Sequence, residues 1–408
     1  MLNNFKKLGP GLLVTAAFIG PGTVTTASVA GASYGFALLW VIIFSIFATI
    51  VLQEMTSRLG LISRAGLGEA IRTTFKNPIL SIFSAMLVVA AIAFGNAAFE
   101  TGNIIGAAIG LEALTGIAPQ IWAIVVGAAA VSLLASGRYR IIERVLIVMV
   151  VIMSIVFVLT AIIVKPDISN VIKGILVPNI PAGALITTIA LIGTTVVPYN
   201  LFLHSSSVQE KWSESVPQRQ ALAESRMDTV CSISIGGLIT IAIVATAGAA
   251  FFRQDIEIKS AATMANQLEP LLGPAAKYFF ATGLLAAGMT SAVTAPLAAA
   301  YATSGVLGWE RNMKDRKFRA VWAFVILIGT ILAILGKSPV AAIVFAQAAN
   351  GILLPLIAVF LLVVMNRTDL LSEFKNGVLA NLLGILVVLI TSSLGIFQLL
   401  KVLKVILV

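Results

Sequence analysis

Long apolar runs separated by short polar segments make up almost the whole chain. A helix needs about 20 residues to cross the roughly 30 Å hydrocarbon core of a bilayer, and eleven runs reach or approach that length. The pattern predicts an all-α integral membrane protein with eleven transmembrane helices. The predicted spans, numbered 1 to 11 below, cover residues 11–33, 37–57, 79–112, 119–135, 141–164, 183–207, 228–252, 273–305, 318–336, 339–364 and 377–399.

Composition argues against a soluble protein and against most kinds of cofactor site. Hydrophobic residues make up 59% of the 408 residues and charged residues only 11%, whereas soluble domains carry about 25% charged residues. The single Cys cannot form an internal disulfide, and the single His, without a CxxC or HExxH motif, argues against zinc or haem. The sequence contains no P-loop and no recognisable set of nucleophile, base and orienting residues. We therefore expect that the protein binds no cofactor and is not an enzyme.

The distribution of basic residues predicts the orientation in the membrane. The net charge is +10, and with the N-terminus inside, 19 of the 27 Lys and Arg residues fall on the inner side. Cytoplasmic loops carry such an excess, so we expect a cytoplasmic N-terminus, an outer C-terminus and a location in a bacterial inner membrane. Because membrane topology accounts for the basic residues, no nucleic-acid partner is predicted.

Two of the apolar segments carry helix-breaking residues in their interior. Span 1 contains Gly-Pro-Gly-Thr at residues 20–23, and span 6 contains Val-Pro-Tyr-Asn at residues 197–200. Proline lacks an N–H and clashes with the preceding turn, and unwound backbone inside a membrane is tolerated only where it faces protein or a wet cavity. The breaks are five spans apart, and an odd number of spans inverts the second copy. This pattern is typical of inverted-repeat transporters that bind substrate where two broken helices meet.

The repeat gives the predicted domain organisation. One transmembrane domain covers residues 1–408, with repeat one at about 11–164, repeat two at about 183–364 and an additional helix at about 377–399. We expect a secondary transporter rather than a channel, because paired broken helices imply a central site that can be occluded.

Several segments resemble the NRAMP family of divalent-metal transporters. They are Gly9-Pro10-Gly11, the break at 20–23, Gly35-Phe36-Ala37-Leu38-Leu39-Trp40, Arg58-Leu59-Gly60 and the sequence VPYNLFLHSS at 197–206. The resemblance covers the first ten spans and is strongest in spans 1 and 6. It implies the LeuT-type fold, a five-plus-five inverted repeat that works by alternating access.

The chain departs from the family pattern at the positions of the metal ligands. The family has Asp-Pro-Gly-Asn in span 1, where Gly20 and Thr23 replace the two ligands. It has Met-Pro-His-Asn in span 6, where Val197 replaces the thioether ligand and Tyr199 replaces the imidazole. Transition metals favour imidazole or sulfur ligands, so selective binding of such a metal is not expected here.

Other polar positions of the family are partly kept. The acidic pair of family span 3 matches Glu100 and Asn103, and the second histidine of span 6 is kept as His204. An ionisable residue inside a membrane is a functional hypothesis by default, so these three residues are predicted to couple protons. Gln347 in span 10 resembles a family glutamine that can reach the metal.

The substrate is open between two classes. The leading prediction is proton-coupled import of a small carboxylate anion such as citrate, alone or as a complex with a divalent metal. The half-helices after the two breaks begin with unpaired amides and a positive dipole end, although no Lys or Arg at membrane depth pairs the anion. The alternative is a divalent cation, Mg²⁺ or Mn²⁺, in a wide hydrated site. A third hypothesis is a receptor-like relative that does not transport.

The candidate site residues come from the breaks and from polar positions of neighbouring spans. The predicted substrate-binding residues are Gly20, Pro21, Gly22, Thr23, Thr26, Val197, Tyr199, Asn200, Ser291 and Gln347. The predicted proton-coupling residues are Glu100, Asn103 and His204. The expected partners are the substrate ion, protons and the lipid bilayer.

Overall fold

The apolar runs form helices that pack side by side. The computed structural model describes residues 9–402 apart from residues 76, 137–139, 214, 255, 311 and 337, and the described residues contain no strand. Ten of their helical segments are long and apolar enough to cross a membrane. Span 1, which consists of two shorter helices, accounts for the eleventh predicted span. The predicted all-α architecture is confirmed.

The helices follow the predicted spans, and spans 1 and 6 each consist of two helices. In chain order they are α1 (Pro10–Phe18), α2 (Pro21–Tyr34), α3 (Leu39–Ser63), α4 (Leu67–Arg72), α5 (Pro78–Thr115), α6 (Pro119–Ser136), α7 (Arg140–Val164), α8 (Ile168–Leu176), α9 (Leu185–Thr195), α10 (Pro198–Lys211), α11 (Gln218–Phe251), α12 (Ala261–Ala265), α13 (Glu269–Leu272), α14 (Ala276–Leu307), α15 (Arg316–Leu335), α16 (Pro339–Met365), α17 (Thr368–Leu371) and α18 (Val378–Val402). Short 3₁₀ turns lie at Phe252–Gln254, Asn266–Leu268, Gly273–Ala275 and Ser372–Phe374.

Span 7 is longer than the hydrophobic pattern predicts. The predicted span begins at residue 228, whereas α11 begins at Gln218, directly after Pro217. The ten additional residues are mostly polar, yet Gln, Arg, Ala, Leu, Glu and Met are strong helix formers. Hydropathy therefore marks the apolar segment and misses the polar start of the helix, which includes Arg226.

The two predicted breaks are present and have the same cap geometry. After α1 the amide of Ile19 donates to the carbonyl four residues earlier (3.0 Å), and after α9 the amide of Val196 does the same (2.8 Å). One residue with extended backbone follows in each case, and Pro21 or Pro198 then starts the next helix. Proline is favoured at a first helical position because its missing N–H would have no partner there.

The longest helix, α5, passes close to the first break. It has 38 residues and packs on α14, α16, α15 and α6. At Gly106 a Cβ atom would overlap the ring of Pro21. Glycine at this position therefore allows α5 to approach the start of α2, and it brings the polar residues of span 3 to the break.

Candidate functional site

The two broken helices are joined by a hydrogen bond between hydroxyl groups. Thr23, in the first turn of α2, lies 2.7 Å from the hydroxyl of Thr194, near the end of α9. The same Thr23 hydroxyl donates to the carbonyl of Phe18, the last residue of α1. Thr23 therefore connects both halves of span 1 to the first half of span 6. Thr194 was not predicted as a site residue, because the sequence of an apolar run does not show which residue a threonine within it will contact.

The direction of these hydrogen bonds follows from the number of protons. Thr23 has one hydroxyl proton, and the Phe18 carbonyl can only accept, so this proton goes to the carbonyl. Thr194 must then be the donor to Thr23. Both hydroxyl protons are thus engaged, that of Thr23 by the Phe18 carbonyl and that of Thr194 by Thr23, and the remaining capacity of the two oxygens is to accept.

A buried carboxylate and a buried amide form a second polar pair next to the break. The side-chain nitrogen of Asn103 lies 3.2 Å from Oε2 of Glu100, one turn earlier on α5, and both residues are fully buried. The amide nitrogen of Asn103 is the donor in this hydrogen bond and therefore faces Glu100. The other oxygen of each residue, Oε1 of Glu100 and Oδ1 of Asn103, has no hydrogen-bond partner.

The first break lies against Asn103 and against span 8. A Cβ atom on Gly20 would lie 2.8 Å from Oγ of Ser291, on α14, and 4.0 Å from Oδ1 of Asn103. Ser291 is buried, and its hydroxyl has no hydrogen-bond partner. The absence of a side chain at Gly20 therefore exposes its backbone to two unpaired oxygens. A longer side chain at this position would take their space.

The second break contributes an unpaired amide group, and span 10 contributes another. Asn200 is fully buried, and neither side-chain atom has a hydrogen-bond partner; the same holds for Gln347 on α16. The amide of Gln347 lies where a Cβ atom on Gly22 would be, so span 10 reaches the first break. Tyr199 packs its ring on the edge of Phe99 at 5.3 Å between centroids, and its hydroxyl also lacks a partner.

Two further predicted residues lie at the edge of this arrangement. Thr26 is buried with an unpaired hydroxyl one turn beyond Gly22 on α2. Val197 caps α10, and its carbonyl accepts the amide of Asn200 at 3.1 Å. That carbonyl is therefore engaged in the first turn of the helix.

His204 faces span 2 rather than the break. Its Nδ1 lies 2.9 Å from Oε1 of Gln53 on α3, and the histidine is fully buried with no partner at Nε2. No hydrogen bond among the described residues joins His204 to Glu100. The structure thus separates the predicted proton-coupling residues into two places, and it adds Gln53, which the sequence did not single out.

One acidic residue, Glu100, lies at the breaks. Among the residues whose side chains the structure describes, the only buried Asp, Glu, His, Lys or Arg residues are Arg58, Glu100, His204 and Asp228. Arg58 pairs with Glu54 at 3.1 Å and also bonds to the loop before span 11. In the described part of the chain no group of three or more His, Cys, Asp or Glu residues is arranged to hold a metal ion. The site is therefore lined by neutral oxygens and one acid.

Comparisons with known proteins agree on the architecture. The chain is 29% identical over 403 residues to the divalent metal cation transporter MntH of Yersinia pestis, a match that covers 97% of this chain and 95% of the relative. Among solved structures, a mutant of the manganese transporter of Eremococcus coleocola superimposes with a TM-score of 0.80 at 21% identity, covering 96% of this chain and 85% of that one. Mhp1, a nucleobase-cation-symport-1 family transporter, superimposes with a TM-score of 0.56 at 14% identity, covering 97% and 93%. These neighbours confirm the predicted LeuT-type fold.

The family follows from a match along almost the whole chain. Residues 11–401 match the family described as natural resistance-associated macrophage protein-like, or Nramp. This range contains both breaks and all eleven predicted spans. The resemblance noted in spans 1 and 6 is thereby confirmed, and the chain belongs to the Nramp family of membrane transporters.

Proposed function

We propose that this protein is a secondary transporter of a divalent cation, Mg²⁺ or Mn²⁺, that keeps much of its hydration shell in the site. The relative from Yersinia pestis is named a divalent metal cation transporter, and the solved structure from Eremococcus coleocola is named a manganese transporter. These names support the cation, which was the alternative predicted from the sequence, over citrate. None of the proteins compared above is named for an organic acid.

The orientation of the buried polar groups supports a cation most directly. The hydroxyl proton of Thr23 is donated to Phe18 and that of Thr194 to Thr23, and the amide nitrogen of Asn103 donates to Glu100. The atoms of Glu100 and Asn103 left without a partner are Oε1 and Oδ1, which are acceptors, while Asn200 and Gln347 each offer an unpaired oxygen and an unpaired nitrogen. Water bound to a divalent cation directs its hydrogens outward, so a hydrated cation needs acceptors around it.

The charges support the same choice. An anion at the breaks would lie near the Glu100 carboxylate, and no buried Lys side chain is present among those described, while the buried Arg58 is already paired. Burying a charge without a partner is costly. A divalent cation instead meets one negative charge and several neutral oxygens.

The missing soft ligands favour a hydrated ion over a bare one. Val197 stands where the family pattern has a thioether, and Gly20 where it has a carboxylate. Mg²⁺ gives up its water reluctantly and is usually bound with several waters in place. A lining of hydroxyls and amides can hold such a shell without replacing it.

Transport would proceed by exchange of access to this buried site, with His204 and Glu100 as the groups that we assign to proton coupling. The fully buried Asn200 and Gln347 fit an occluded conformation. A pH-sensitive dye inside vesicles would report whether protons move with the cation, and unchanged dye signals for His204→Ala and Glu100→Gln would remove this assignment.

Uptake into proteoliposomes tests the substrate class. Vesicles loaded with a magnesium-sensitive or manganese-sensitive fluorophore should report cation entry, while radiolabelled citrate supplied without divalent cation should not accumulate. Thr391→Ala is a matched control, because the buried Thr391 on α18 bonds only to carbonyls of its own helix. Citrate accumulation without a divalent cation, together with no cation flux, would reject the proposal in favour of the anion.

A further inference from the structure

Asn103 presents a different atom to each side. Its amide nitrogen is held by Oε2 of Glu100 at 3.2 Å. Its amide oxygen lies 4.0 Å from where a Cβ atom of Gly20 would be and has no partner. The unpaired hydroxyl of Ser291 lies 2.8 Å from the same point. Two acceptor oxygens from different helices thus lie beside one backbone position.

Thr23 offers less free acceptor capacity than Asn103 and Ser291. Its hydroxyl already makes two hydrogen bonds, to Phe18 and Thr194, so only part of its acceptor capacity remains. The unpaired oxygens therefore lie on the side of the break that faces spans 3 and 8, away from the junction of the two broken helices.

We propose that Oδ1 of Asn103 and Oγ of Ser291, next to Gly20, bind the hydration shell of the transported cation, and that Glu100 is a positioning residue. Glu100 keeps the amide nitrogen of Asn103 turned away, so that an acceptor and not a donor faces the ion. This assignment rests on the proposed function, and it places the ion beside span 3.

A double-mutant cycle tests the positioning role. Binding of Mn²⁺ and of Mg²⁺ to purified protein is measured by titration calorimetry for Asn103→Ala, Ser291→Ala, Glu100→Gln, Glu100→Met and the double variants that combine each Glu100 change with Asn103→Ala. Asn103→Ala and Ser291→Ala should each weaken binding by about tenfold, the size of one lost hydrogen bond. Glu100→Gln removes the ionisable group but keeps an oxygen that can accept the Asn103 amide, whereas Glu100→Met removes both. Glu100→Met should therefore bind more weakly than Glu100→Gln, and this difference should vanish when Asn103 is already alanine, because the residue that is oriented is gone.

Each contrary result has a separate meaning. If Asn103→Ala and Ser291→Ala bind Mn²⁺ with wild-type affinity, these two residues do not bind the hydration shell, and the proposed function stays intact. A difference between Glu100→Met and Glu100→Gln that persists in full in the Asn103→Ala background would make Glu100 a direct ligand and overturn its positioning role. A folded wild-type protein that binds neither cation would overturn both the binding role of Asn103 and Ser291 and the proposed function. Thr391→Ala should bind like wild type.

A second observation, independent of the substrate, concerns the start of α1. The two carboxylate oxygens of Asp228, on α11, accept the amides of Gly9 at 3.0 Å and of Gly11 at 2.8 Å. The residue between them, Pro10, has no amide proton to offer. Asp228 is buried, and a Cβ atom on Gly11 would lie 2.8 Å from its backbone carbonyl. The lack of a side chain at Gly11 therefore allows span 7 to pack closely against the first turn of span 1.

The other side of this turn is covered by the second broken helix. A Cβ atom on Gly9 would overlap the side chain of Lys211, the last residue of α10. The first turn of α1 thus lies between the end of α10 and the polar start of α11. Since α1 has only nine residues and is followed by the unwound Ile19 and Gly20, it is joined to the bundle by a flexible link.

We infer that Asp228 holds the bundle closed at the end where α1 begins, by binding the amides of Gly9 and Gly11. We call this contact the latch. A carboxylate at a helix N-terminus is favoured by the helix dipole as well as by the two hydrogen bonds. Release of the latch would let α1 swing about residues 19–20 while α2 stays bound to α11, to which it is tightly packed.

Hydrogen exchange of the full protein, measured by mass spectrometry on peptides from α1 and α2, tests the latch. Asp228→Asn should raise exchange in α1 by about tenfold or more and leave α2 unchanged. The matched control is Ser232→Ala, which removes a hydroxyl whose bond to Asp228 is long, at 3.4 Å. Unchanged exchange in α1, or an equal rise throughout the protein, would overturn the latch.

Discussion

The two broken helices have the same backbone but opposite surroundings. Both breaks end one helix with the same cap, continue through one extended residue and restart at a proline. The first break is made of glycines, and side chains from spans 3, 8 and 10 occupy the space beside Gly20 and Gly22. The second break carries Tyr199 and Asn200, which bring their own bulk and polar atoms. The first break thus leaves space for side chains of neighbouring helices, and the second contributes side chains of its own.

Placing a carboxylate at Gly20 should have the largest effect. Gly20→Asp adds a Cβ atom 2.8 Å from Oγ of Ser291 and a second negative charge near Glu100. Overpacking costs the folded protein about 1–3 kcal/mol, so thermal unfolding should show a loss of stability of that size, the largest in this series.

A second substitution should recover space for the added carboxylate. Gly20→Asp/Ser291→Gly removes the clashing hydroxymethyl group and should restore binding of Mn²⁺ more than of Mg²⁺, since a carboxylate at the break would replace water around the ion. Equal melting temperatures for wild type and Gly20→Asp would show that the first break does not depend on the missing side chain for space.

The contribution of the second break is tested at Asn200. Asn200→Ala removes two buried atoms without partners, so affinity for the cation should fall by about tenfold. The free energy of unfolding should stay the same or rise, because an unsatisfied buried amide is removed. Titration calorimetry and thermal unfolding measure the two effects, and a loss of stability equal to the loss of affinity would assign Asn200 to the fold alone.

The connection between the breaks should affect stability more than binding. Thr23→Val keeps the shape but removes the hydrogen bonds to Phe18 and Thr194, so the free energy of unfolding should fall by about 1–2 kcal/mol. Thr23→Ser keeps the hydroxyl and should retain most of this stability. Thermal unfolding compares the two, and equal melting temperatures for both variants would remove the structural role of the hydroxyl.

Tyr199 should give the smallest effect. Tyr199→Phe removes the hydroxyl but keeps the ring that packs on Phe99, so affinity should change by less than about threefold if the oxygen contacts water of the ion only weakly. A tenfold loss in the same calorimetric titration would instead make the phenol a principal ligand of the second break.

The breaks were predictable because proline and glycine act on the backbone wherever they stand. Pro21 and Pro198 mark the starts of α2 and α10 to the residue, and the eleven spans follow from the length of the apolar runs. The beginning of α11 was not predictable from hydropathy, since its first residues are polar and belong to the helix by propensity alone.

The chemistry of the site was only partly predictable, because it depends on pairing. Thr23 suits an anion as a free donor, yet its proton is bound to Phe18 once the fold brings the carbonyl near. Asn103 likewise becomes an acceptor toward the break only because Glu100 holds its nitrogen. The sequence identifies these residues as polar, and the partners in the fold decide between donor and acceptor.

The single carboxylate at the site has an electrical consequence. A divalent ion next to one ionised acid leaves the loaded site with a net positive charge, whereas a site with two acids would be neutral. A loaded site with a net charge of about +1 that crosses a potential of 100 mV changes in free energy by about 2.3 kcal/mol. For the divalent cation proposed above, a voltage that is negative on the receiving side would therefore draw the loaded carrier across, and the membrane potential would contribute energy to accumulation.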